Sequence, residues 1–142
     1  MENKKTIKIN VVFLCHDGQS NFLMSLRSER ARDNHNLWDP GSGKVEFGES
    51  IDGALKRELF EEYNATAIKK TFMGIRENIS KTEHWITFDY LVEVDRKTIK
   101  NNEPNKFDKL VWFKYQDLPI KKSHPLFEDF LEKNKKTIQT AF

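Results

Sequence analysis

Three carboxylates in one short stretch, Glu58, Glu61 and Glu62, with Arg57 beside them, have the types and the spacing to hold a hard divalent cation. From about Ser50 to Tyr63 the residues Ile51, Leu55, Leu59 and Tyr63 form one helical stripe, with Ala54 at its edge. On the same wheel Glu58 and Glu62 fall in or beside that stripe, while Glu61 and Arg57 flank it. A solvated amphipathic helix carries its acids on the opposite face. Here Glu58 and Glu62 stand one turn apart, and like charges so placed cost about 0.2 to 0.5 kcal/mol per pair on a bare helix. The cluster calls for positive charge among its members, which an oxygen-binding cation such as Mg²⁺ supplies.

The flanking residues read as devices that position this helix. Ser50 is an N-cap and Asn64 suits the left-handed turn that stops a helix. The segment Pro40-Gly41-Ser42-Gly43 reads as a glycine-rich loop that brings backbone close to a ligand or metal and offers free carbonyls.

Gly43, then Glu49 after five residues, then Arg57-Glu58-x-x-Glu61-Glu62 after seven more, resembles the signature of the Nudix hydrolase family. Every charged position matches. Asn64 stands where the family has glycine, and Gly41-Ser42-Gly43 stands where many members read Pro-Gly-Gly. The resemblance implies an α/β fold, a Nudix-type α/β/α sandwich with a mixed sheet. It also implies Mg²⁺, with Mn²⁺ as the alternative, held by Glu58, Glu61, Glu62 and a carbonyl of the glycine-rich segment, taken as Gly43. Arg57 would orient one of the glutamates, and Glu49 would serve the outer metal shell or helix positioning. Members often carry a further acid before the last strand; Glu103 is the match, with Lys106 where others have another acid. Glu58, Glu62 and Glu103 are all admissible as the group that takes the proton from water.

A chain of 142 residues, 37% hydrophobic and 12% aromatic, predicts one globular domain over residues 1–142. Charged residues make up 32% but nearly cancel to +2, which argues against nucleic acid or membrane as a partner. The single Cys15 lies in an apolar run and reads as a core thiol. The basic start followed by Val11 to Cys15 is too short for a signal peptide, and no stretch approaches a membrane span, so a cytoplasmic protein is expected.

Ile7, Ile9, Val11, Phe13 and Cys15 alternate as one face of a strand, Asp17-Gly18 turns the chain, and Phe22 to Leu26 pairs back as a hairpin. The polar loop from Arg27 to Asn36 follows; Arg27, which closes a strand near the site, is a candidate phosphate contact. After the helix come an irregular strand within residues 67–76 and a clean alternating strand from Ile86 to Val94. Trp85, at its start, is a candidate for stacking on a nucleobase, as are Phe47 and Trp38. A long polar loop over residues 95–109 precedes a strand from Leu110 to Phe113. A final helix from Ser123 buries Leu126, Phe127, Phe130 and Leu131, and the tail from Lys133 to Phe142 is expected to fray.

These readings converge on an enzyme that hydrolyses a diphosphate linkage, with Mg²⁺, in a nucleoside di- or triphosphate or a related nucleotide, oxidised purine forms included. ADP-ribose and dinucleoside polyphosphates are alternative substrates. The rival from another class is a module that senses a nucleotide or sugar nucleotide without cutting it. That rival predicts loss of a signature acid, and none is lost. A decapping or RNA-binding role predicts a basic face. The partner is a nucleotide-like small molecule, and the protein a monomer or homodimer.

Overall fold

The computed structural model describes residues 5–141. It is a mixed α/β fold, one seven-stranded sheet with a helix on either side. Strand β1 (Ile7–His16) is central. Along its whole length it pairs in parallel with β6 (His84–Glu93), which pairs antiparallel with the edge strand β5 (Lys69–Ile79). The other side of β1 is shared. Residues Asn10 to Phe13 pair with β4 (Gly41–Lys44), while Cys15 and His16 pair with β2 (Asn21–Arg27). Strand β2 in turn carries β3 (Trp38–Asp39) and β7 (Phe107–Lys114).

Alternation along the strands sends two sets of side chains to two cores. Val11, Phe13, Cys15 and Val92 pack under α1 (Ile51–Tyr63) with Leu55, Leu59 and Tyr63. Leu14, Phe22, Met24 and Leu91 pack under α2 (Phe127–Thr140) with Phe127, Phe130 and Ile138. The expected irregularity of β5 is a register shift between Phe72 and Gly74.

Four expectations are corrected. The glycine-rich segment is a strand, because Gly41 and Gly43 are what allow β4 to lie against crowded neighbours: a Cβ on Gly41 would fall 1.9 Å from the Phe13 ring. The last helix begins at Phe127, not Ser123. Ser123 is extended and bridges to Trp38, the His124 N–H bonds to the Trp38 carbonyl (2.8 Å), and Pro125 disfavours helix at His124. Finally, the helix continues through Lys133 to Thr140, since buried Asn134 and Ile138 extend its inner face; Phe142 lies outside the described residues. β7 is also longer than expected, starting at Phe107. Among the described residues no helix is long and apolar enough to cross a membrane.

Candidate active site

Helix α1 starts and stops where its capping chemistry dictates. The Ser50 hydroxyl accepts from the Gly53 N–H (2.9 Å), and Asn64, at φ 57°, donates its N–H to the Leu59 and Phe60 carbonyls. Glu58 and Glu62 are buried with the apolar stripe, at 8% and 1% exposure. They lie against β4. A Cβ on Gly43 would fall 2.0 Å from the Glu58 carboxyl carbon, so only glycine permits this approach. The Ser42 N–H donates to Glu62 Oε1 at 3.1 Å.

One guanidinium organises three carboxylates. Arg57 donates from Nε and Nη2 to both oxygens of Glu49 (2.7 and 2.9 Å), and from Nη1 to Glu58 (2.7 Å) and Glu61 (3.2 Å). Nη2 also reaches the Lys44 carbonyl at 3.0 Å, which ties the helix to β4. These bonds hold the Glu49 carboxyl down at about 2. Glu62 takes its cation from elsewhere: Lys106 Nζ donates to its Oε2 at 2.8 Å, with Glu103 Oε2 at 3.8 Å from the same ammonium.

Burial pushes the Glu58 carboxyl above its usual range, with Arg57 pulling against it. The effect is larger at Glu62, which burial drives up to about 8 although Lys106 opposes the shift. Burial acts against the Lys106 charge as well, but Glu62 outweighs it and raises the ammonium's pKa. Both partners therefore hold protons more tightly than they do in water.

The long loop ahead of β7 is sewn to the end of α1. The N–H groups of Lys100 and Asn102 donate to the Tyr63 and Glu62 carbonyls (3.0 and 3.2 Å), and Asn102 Nδ2 donates to the Phe60 carbonyl (2.9 Å). Carbonyls that a helix end leaves orphaned are thus satisfied, and Lys106 is delivered to Glu62. The Glu103 carbonyl accepts from the N–H groups of Lys106 and Phe107, both at 2.9 Å.

A cleft of about 840 Å³ opens beside these groups, lined by Gly43, Glu58, Lys106, Arg27, Asp39 and Trp85 among others. The structure thus brings Arg57, Glu58, Glu61, Glu62, Gly43 and, through Lys106, Glu103 into one cluster, and of its acids Glu58 lines the cleft. Arg27 is buried and donates from Nε and Nη2 to the Asp33 carbonyl (2.9 Å) and carboxylate (2.8 Å). Trp85 donates its indole N–H to Glu83 (2.8 Å) beneath the Lys8 ammonium. Trp38 packs edge-on against Phe113, and Phe47 is fully exposed; neither lines the cleft. Cys15 is buried, and burial pushes its thiol well up, so it is no nucleophile at neutral pH.

Two residues of the site escaped sequence reasoning. Lys106 carried one signal, a basic residue at a position where relatives have an acid. Asp39 carried another, an acid between Trp38 and the glycine-rich segment. Among the described residues no three carboxylate, imidazole or thiol groups converge on one point, because Glu58 and Glu61 turn to Arg57 and Glu62 to Lys106. The donors are nevertheless all oxygen, and two of them are already desolvated beside a backbone held close by glycine. Such a set fits a hard divalent cation.

A family model described as NUDIX domain matches residues 5–133. The RNA pyrophosphohydrolase of Campylobacter jejuni is 27% identical over 131 residues, which is 92% of this chain and 79% of that protein. The crystal structure of a MutT NUDIX hydrolase from Burkholderia pseudomallei superposes with a TM-score of 0.79 at 22% identity, covering 91% of this chain and 98% of that one. That of the MutT protein from Methanosarcina mazei gives 0.79 at 24% identity, covering 96% and 98%. At these identities the two structures speak for the fold.

Proposed function

Since the chain belongs to the NUDIX family, we propose that it is a pyrophosphohydrolase that cleaves a phosphoanhydride bond in a nucleoside di- or triphosphate with Mg²⁺ or Mn²⁺. The observation that carries this reading is the placement of Glu58 and Glu62, buried one turn apart against a strand that reaches them only because residue 43 has no side chain.

Glu58, Glu61 and Glu62 would hold the cation together with the Gly43 carbonyl. When bound, it would neutralise phosphate charge and make water a better nucleophile. Arg57 positions Glu58 and Glu61 and ties them through Glu49 to the start of the helix. Glu58, which lines the cleft and whose pKa burial raises, takes the proton as water attacks phosphorus and the bridging oxygen leaves. Glu103 acts through Lys106, which it helps hold beside Glu62. Arg27 and Trp85 both line the cleft wall, where Trp85 offers a ring to the base.

A second reading is supported by the Campylobacter relative, named for action on RNA: the 5′ end of a primary transcript presents the same triphosphate. The near-neutral charge weighs against a long RNA contact but not against recognition of a single terminal nucleotide. The sensing alternative is disfavoured because every acid of the signature is present. The test is turnover of nucleoside tri- and diphosphates, oxidised purine forms, ADP-ribose, dinucleoside polyphosphates and a 5′-triphosphate RNA, with and without Mg²⁺, with products identified by mass. Cation-dependent cleavage is expected, reduced about 10²- to 10⁴-fold in Glu58→Gln. Tight binding of one compound with no cleavage of any would replace the hydrolase by the sensor.

A further inference from the structure

Asp39 is a buried carboxylate for which the hydrolytic cluster has no use. It is 8% exposed, lines the same cleft as Glu58, and lies opposite Ser25 in the β2–β3 pairing, where the Ser25 hydroxyl donates to its backbone carbonyl (3.0 Å). Its position is therefore rigid. Among the described residues no hydrogen bond reaches its carboxylate, and the nearest cation is Arg27 Nη1 at 3.8 Å. Arg27 commits Nε and Nη2 to Asp33, which leaves Nη1 without a hydrogen bond. Burial pushes the Asp39 carboxyl up to about 7, against the pull of Arg27 and Lys106. Among the described residues, two acceptor oxygens and one donor thus stand side by side at the cleft wall with capacity left to bond a ligand.

Resting on the hydrolase reading above, we propose that Asp39 and Arg27 form the base-recognition site and select guanine. The two carboxylate oxygens accept from the N1–H and the exocyclic N2–H of the base, and Arg27 Nη1 donates to O6. The guanine edge presents one acceptor followed by two donors, the complement of this pair. Adenine presents a single exocyclic donor beside a ring acceptor, which sets a lone pair against the carboxylate. The separation suits one nucleotide: Asp39 is three residues from Ser42, whose N–H binds Glu62, a span of at most about 10 Å of extended chain. A base at Asp39 leaves its phosphates near Glu58.

The test compares kcat/KM for GTP and ATP, and calorimetric binding of GDP and ADP in EDTA, in the wild type and in Asp39→Asn, whose fold is checked by circular dichroism. The wild type is expected to prefer guanine by about 10-fold or more, because an unsatisfied polar group rejects the wrong base. Asp39→Asn replaces one acceptor by a donor and is expected to lower the guanine-over-adenine ratio about 10- to 100-fold, mainly through KM. Arg27→Lys, which keeps the charge but not the planar donors, is expected to lower it in the same direction. Equal use of the two bases by the wild type, or a folded Asp39→Asn whose ratio stays within about twofold, overturns the assignment. Should the wild type cleave neither nucleotide, the GDP-to-ADP binding ratio decides the base site by itself, and the hydrolase reading is decided by the wider substrate panel.

Discussion

Replacing Glu62 by glutamine keeps the shape of a fully buried side chain and removes its charge. Its carboxyl ionises at about 8 in the folded protein, against 4.5 as the ordinary value. A group whose folded pKa is raised contributes its full stability below the unfolded pKa and loses it as pH rises through the folded one. Wild type is therefore unpenalised below about pH 4.5 and increasingly penalised up to about pH 8. At about pH 7 the gap of some 2.5 pH units is worth about 3 kcal/mol, at about 1.4 kcal/mol per unit. Glutamine escapes that penalty but leaves Lys106 with Glu103 at 3.8 Å as its remaining acid. The pull of Lys106 is already contained in the value of about 8, so the gain near neutrality is not offset by loss of that bond. The pH dependence of the difference is the signature. In EDTA, urea denaturation is expected to show Glu62→Gln gaining on wild type by about 2 kcal/mol or more between about pH 5 and 8. Added Mg²⁺ is expected to stabilise wild type more than the variant, because it supplies the missing counter-charge. A difference that is flat with pH, or that falls as pH rises, would refute the view that burial of this carboxylate is what the cation relieves.

Three further outcomes follow from the same geometry. Gly43→Ala places a methyl 2.0 Å from the Glu58 carboxyl carbon and must displace it; a loss in kcat of about 100-fold is expected, as for other misplacements of about 1 Å, and near-normal turnover would show that Glu58 is not held where the chemistry needs it. Asp89→Ala removes the acceptor that takes two bonds from buried Arg76 (2.7 and 3.0 Å) and one from Asn134 (2.8 Å). A stability loss of about 3 to 5 kcal/mol by urea denaturation is expected, because the buried Arg76 charge keeps only the long 3.5 Å contact with Asp129. Cys15 is expected to resist a disulfide reagent at mildly alkaline pH in the native protein and to react on unfolding, which a thiol titration checks.

What the amino-acid sequence disclosed, and what it withheld, divides along the distance between interacting residues. The caps of α1, its stripe and the burial of Glu58 and Glu62 depend on neighbours within one or two turns, and all three were readable. So was the hairpin at Asp17-Gly18, whose register a short turn sets. Lys106 and Glu62 are 44 residues apart, and no local rule pairs them. The same holds for Asn134, 45 residues from Asp89: a polar residue in the tail looks like the end of an apolar pattern until its partner is known, which is why the helix appeared to stop early. Gly41 and Gly43 were misread for a related reason. Glycine weakens a strand by itself, so the pair suggested a loop, but Phe13 and Glu58 need the space that only a missing Cβ leaves, and both lie outside the segment. The glycines were read as bringing backbone close to a ligand or metal; in the fold they bring it against the Glu58 carboxylate and the Phe13 ring. Polar groups buried against distant partners are the ones that local reading leaves unassigned. In and beside this cleft they are also the groups with most to contribute to chemistry, since Glu58, Glu62 and Asp39 owe their raised pKa values to the neighbours that bury them.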